Sequence, residues 1–153
     1  MYRPEEDGDT HINIYSRSRA ELGRLLSNFS RTPFIHPEYG QFDSVEGFYF
    51  YVSTGCVNEQ LRVVSGFHAK SCGVKNPRVP VENFEKVIDS GLRAKIRCNG
   101  NIKEALKESV LPLTHYYVFG EAGNQKVVVP AQHQWFVGAF EDIRRELKEG
   151  VFA

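Results

Sequence analysis

Glu46 is the residue whose type and position point most directly to chemistry. It ends the run Tyr39-Gly40-Gln41-Phe42-Asp43-Ser44-Val45-Glu46, downstream of Leu26-Ser27-Asn28-Phe29 and Pro33-Phe34. This segment brings an amide, aromatic rings and a carboxylate toward the start of one helix. Asn28 offers both a donor and an acceptor, which suits a sugar hydroxyl or a base edge. Phe29 and Tyr49 are rings that could sandwich a planar group. A helix N-terminus supplies N–H groups for phosphate. Glu46 could act as acid, base or stabiliser of a developing cation. A plainer reading competes: Asp43 to Glu46 has the spacing of a capping box, in which Glu46 only reaches back to the Asp43 N–H.

No louder motif is present. The chain lacks a Walker loop, GxGxxG, HExxH and GxSxG. Its five histidines are scattered, and Cys56, Cys72 and Cys98 form no CxxC. Neither a metal site nor a disulfide framework is expected, and no cofactor. Basic and acidic residues balance at 19 each, so stable duplex DNA binding is not expected. Nor is membrane association, as no run of about 18 apolar residues occurs. No signal peptide is read, and the expected compartment is the reducing cytoplasm. Aromatic residues make up 12% of the chain.

The elements that must position these residues are read from periodicity. Residues 1–10 are polar and expected to be a loose terminus. Residues 11–150 are expected to form a single domain, a suitable size for the 153-residue chain. Ile12 to Tyr15 reads as a strand, and residues 16–42 as turn-rich connection with short extended pieces. Val45, Phe48, Tyr49 and Val52 lie on one helical face ending at Gly55. Val57, Leu61, Val64 and His68 give a weaker helical pattern. Phe84, Val87, Ile88, Leu92, Lys95 and Ile96 form a clear stripe. A short helix over Ile102–Val110 stops before Pro112. Tyr116–Phe119 and Lys126–Val129 read as strands, and Phe136, Phe140, Ile143 and Leu147 as a terminal helix with Gly150 near its C-cap. The fold class is α+β, mostly helical, with a few short strands.

Leu26-Ser27-Asn28-Phe29, Pro33-Phe34 and Ser44-Val45-Glu46 resemble, in order and spacing, the signature of the NADAR family of YbiA-like N-glycosidases. Ala69-Lys70-x-x-Gly73 and Phe140-x-x-Ile143-Arg144 resemble its later blocks, so the likeness spans roughly residues 12–147. The resemblance implies a compact α+β fold and metal-free cleavage of an N-glycosidic bond. The substrate would be a small ribosylated nucleotide or ADP-ribosylated nucleic acid. It assigns Glu46 as the active-site glutamate and Asn28 and Phe29 to the ligand-contacting loop. Beside these, Ser27 and Tyr49 are candidate substrate-binding residues, and Lys70 and Arg78 are candidate cations for phosphate. A carboxylate fits, because breaking a ribose C1–N bond develops oxocarbenium charge.

The chain departs from the pattern in several places. Phe50 and Ser53 replace the Gln and Lys that follow the family's V-E. Tyr116-Tyr117-Val118-Phe119-Gly120 lacks the Asp and Trp of D-x-x-W-G, and Gln134 stands for an asparagine. The resemblance is thus to a divergent, phage-type member, which would work in a host cytoplasm. Two other functions fit the same residues: an ADP-ribose or NAD-type nucleotide-binding module without turnover, and an interaction protein with a vestigial pocket.

Overall fold

A computed structural model describes residues 2–153. Two compact units divide the chain. One is built from residues 1–27 and 104–153, the other from the intervening residues 28–103.

The 28–103 unit centres on α2 (Val45–Ser53). Val45, Phe48 and Val52 sit at helical spacing and are at most 2% exposed. Phe48 meets Phe34 and Phe42 edge-to-face at 5.9 and 5.1 Å and stacks on His36 at 5.1 Å. Those rings come from the antiparallel pair β2 (Phe34–His36) and β3 (Gly40–Phe42), in the register Phe34 to Phe42. The expected stripe forms α4 (Phe84–Cys98), whose Ile88, Leu92 and Ile96 are fully buried. Gly91 lets that helix approach, because a Cβ there would lie 2.4 Å from the Phe48 ring. The pattern expected from Val57 to His68 divides into a 3-10 turn, Glu59–Val63, and a helix α3 (Gly66–Gly73).

The other unit pairs β1 (Ile12–Asn13) in parallel with β4 (Leu113–Thr114), and β5 (Tyr117–Phe119) antiparallel with β6 (Lys126–Val128). Helix α6 (Trp135–Glu149) packs on β4 with Phe136, Phe140, Ile143 and Leu147 inward. Gly150 closes it in the left-handed region at φ 75°, the conformation a glycine C-cap provides. Helix α5 (Gly100–Glu108) contains the division between the units.

Two expectations are corrected here. The connection after residue 15 contains a helix, α1 (Glu21–Leu26). And the segment read as a loose terminus is folded: Pro4–Glu6 form a 3-10 turn, and the buried Asp7 carboxylate accepts hydrogen bonds from Asn13 N, Ser18 Oγ and Arg19 N. A buried carboxylate with three donors fixes the chain around it, which polar composition alone does not reveal. Among the described residues no helix is long and apolar enough to cross a membrane.

Candidate functional site

The start of α2 decides what Glu46 is free to do. The N-cap is Ser44, not Asp43: its Oγ accepts from Gly47 N at 3.1 Å and donates to Val64 O at 2.9 Å. The Glu46 N–H donates to the backbone oxygen of Asn28 at 2.9 Å. So the capping-box reading fails, and the Glu46 side chain has no part in the helix cap. The same bonds occupy two of the N–H groups at this helix end, so it is not the open phosphate cradle expected from the sequence.

The Glu46 carboxylate has no hydrogen bond or ion pair among the described residues. No side-chain oxygen or nitrogen of the described residues is both sealed from solvent and unbonded. The Glu46 oxygens therefore touch solvent from a deeply set position. Burial pushes the carboxyl up from its ordinary range to about 7, and the Lys70 ammonium opposes that shift. At neutral pH the group is divided between acid and base forms, a useful state for general acid–base work.

Around it stand parts of the loop before β2 and of α3. The Asn28 carboxamide is half-buried and has no partner among the described residues. Phe29 meets Phe67 edge-to-face at 5.0 Å. Gly66, at φ 55°, brings the start of α3 against Phe29. Lys70 lies one turn further along α3 and is exposed. Asn28, Phe29, Glu46 and Lys70 are thus brought together. Ser27 is buried at the C-cap of α1 in the other unit.

Tyr49 and Arg78 form a separate group. Arg78 Nη2 donates to Tyr49 Oη at 3.2 Å, and the guanidinium lies 5.4 Å from the Tyr49 ring centre. The Tyr49 ring contacts Phe50 and Phe84 edge-to-face. Phe67, 73% exposed, adds a further ring beside Phe29. The available signal was a large aromatic two residues before Ala69, at the head of the Ala69-Lys70-x-x-Gly73 block.

Gly73 explains one departure in the sequence. A Cβ there would lie 2.1 Å from Phe50 Cγ, so α3 can lie against Phe50 only because residue 73 has no side chain. Gly73→Ala is expected to cost about 1–3 kcal/mol by overpacking. Urea denaturation measures this, and an unchanged midpoint would remove Phe50 as the spacer between α2 and α3.

Searches of known proteins give a consistent picture of the fold. No protein-family model and no curated protein sequence matches the chain. Among solved structures, the E. coli protein YbiA, determined by NMR, is similar with a TM-score of 0.64 and 21% identity. The match covers 93% of this chain and 87% of that one. The chain has a YbiA-like α+β fold.

Proposed function

We propose that this chain is a divergent NADAR-type hydrolase that cleaves the N-glycosidic bond of a ribosylated or ADP-ribosylated nucleotide without a metal. The observation that carries this reading is the Glu46 carboxylate: free of the helix cap, deeply set yet touching solvent, and pushed up to about 7 by burial. The ribose C1–N bond would break as oxocarbenium charge grows beside the carboxylate. Glu46 stabilises that charge, or takes a proton from the water that attacks C1. In this reading Asn28 holds a ribose hydroxyl, Phe29 and Phe67 offer ring surface to the base, and Lys70 receives a phosphate. Tyr49, one turn further along α2, and its partner Arg78 are the other residues proposed to contact the substrate. The substrate reaches the protein in a cytoplasm, host cytoplasm for a phage protein.

The test is a screen of ribosylated nucleotides and ADP-ribosylated nucleic acid for ribose-product release, with Glu46→Gln as the control. Release by the natural chain and none by the variant supports the reading. No release from any member of the panel overturns it.

One observation favours binding without turnover. The position that the resemblance fills with Asp holds Tyr116, whose buried phenol is pushed up to about 12 and hydrogen-bonds His11 Nε2 at 2.6 Å. It supplies no carboxylate. Calorimetry with ADP-ribose and NAD separates the two: heat of binding without product would make the chain a nucleotide-binding module.

A further inference from the structure

The unit formed by residues 1–27 and 104–153 contains an open cleft of about 370 Å³ that the proposed reaction does not use. That volume falls within the range of small-molecule sites. Its walls include Asn13, Tyr15, Arg17, Arg19, Tyr116 and Val118.

The two arginines are held through uncharged acceptors. Arg17 donates from Nε and Nη2 to Tyr15 Oη at 3.1 and 2.6 Å, and from Nη2 to Val118 O at 3.3 Å. Arg19 Nη1 donates to the backbone oxygen of Glu5. Every one of these acceptors is an uncharged hydroxyl or carbonyl. Neither guanidinium hydrogen-bonds a carboxylate among the described residues, and Glu5 acts on Arg19 only through space. The acids on the cleft wall are already engaged. Asp7 accepts from Asn13 N, Ser18 Oγ and Arg19 N at 2.7–3.0 Å, and Glu5 is paired with Arg3 at 2.5 Å. The Asp7 bonds also peg the loop that carries both arginines. Arg17 Nη1 and Arg19 Nε and Nη2 keep their donors for a ligand.

Two oriented guanidiniums, neither hydrogen-bonded to a carboxylate, match a dianion with clustered oxygens. A phosphate monoester carries a charge between about −1.5 and −2 near pH 7, whereas a carboxylate answers only one of the two. The cleft is also larger than a phosphate group needs. Tyr15 and Val118 offer apolar surface beside the arginines. We propose that this cleft binds a small organic phosphate monoester, with the phosphoryl oxygens on Arg17 and Arg19 and the organic group along Tyr15 and Val118.

Amide NMR titration of the full chain tests this with three probes: AMP, adenosine and inorganic phosphate. AMP is expected to shift the amides of residues 13–19 and 118–120, inorganic phosphate the same amides more weakly, and adenosine none of them. Replacing both arginines, Arg17→Gln with Arg19→Gln, is expected to weaken AMP about tenfold or more. The spectrum of the free variant shows directly whether it is folded. Glu46→Gln is expected to leave the titration unchanged, so this site and the proposed reaction stand or fall separately. Amides unmoved by millimolar AMP, or AMP affinity untouched in the folded double variant, would overturn the proposal. Inorganic phosphate binding as tightly as AMP would overturn the part played by the organic group.

Discussion

Glu46→Gln is expected to abolish ribose-product release and, near pH 8, to make the fold more stable by about 1–3 kcal/mol. Loss of a general acid or base alone costs about 10²–10⁴ in rate, and here the same carboxylate also faces the oxocarbenium charge. The gain in stability follows from the shifted titration. Burial raises the folded-state value from 4.5 to about 7. Between those values the folded chain binds more protons than the unfolded chain. The contribution is therefore fully favourable below about 4.5 and is lost as pH rises through about 7. A glutamine carries no charge at any pH and avoids that loss. The full shift would correspond to about 3 kcal/mol, and contact with solvent reduces it. Natural chain and variant should thus be nearly equal near pH 4.5 and diverge up to pH 8 in chemical denaturation. A variant less stable than the natural chain near pH 8 would return Glu46 to a structural role at the helix start.

That role was a fair expectation from residues 43–46, and its failure shows where sequence legibility ends. Either Asp43 or Ser44 can cap a helix. The choice was made by Ser44 Oγ bonding Val64 O, 20 residues downstream, a tertiary contact with no local trace. The long stripes of α4 and α6 were legible because their apolar faces repeat over four turns. Helix α1 was not, since its six residues include Gly23. That glycine answers a distant demand: a Cβ there would lie 2.1 Å from Asn13 O. Within the site, Asn28, Phe29, Glu46 and Lys70 were legible as types. The pairing of Phe29 with Phe67 was not, because it depends on how α3 meets the Asn28–Phe29 loop. Lys95 shows both sides at once. Periodicity placed it on the inward stripe of α4, and it is 0% exposed, but nothing local marks it as a buried ammonium rather than a stem reaching back to water.

Lys95→Met is expected to cost about 2–4 kcal/mol more at pH 10 than at pH 7. The ammonium donates to Ser30 Oγ at 3.3 Å, and burial pushes its titration down from 10.5 to about 7. Between those values the unfolded chain binds the extra proton. The contribution of Lys95 is therefore fully present above about 10.5 and lost as pH falls through about 7. At pH 10 the variant forfeits a neutral amine and its hydrogen bond. Near pH 7 that forfeit is offset, because the variant also escapes the burial of a charge. Glu46 runs the other way, its contribution declining from about 4.5 to about 7. The two limbs meet near neutrality, where a pocket able to exchange protons is least stabilised by its own buried groups. Difference curves separate them: the natural chain minus Glu46→Gln should fall across the acid limb, and the natural chain minus Lys95→Met should rise across the alkaline limb. A flat difference for Lys95→Met between pH 7 and pH 10 would mean that Lys95 keeps its charge throughout. The same variant reaches the site through the chain. Ser30 follows Asn28 and Phe29, and Asn28 O holds the Glu46 N–H, so the Glu46 amide resonance should move in Lys95→Met if α4 positions that loop.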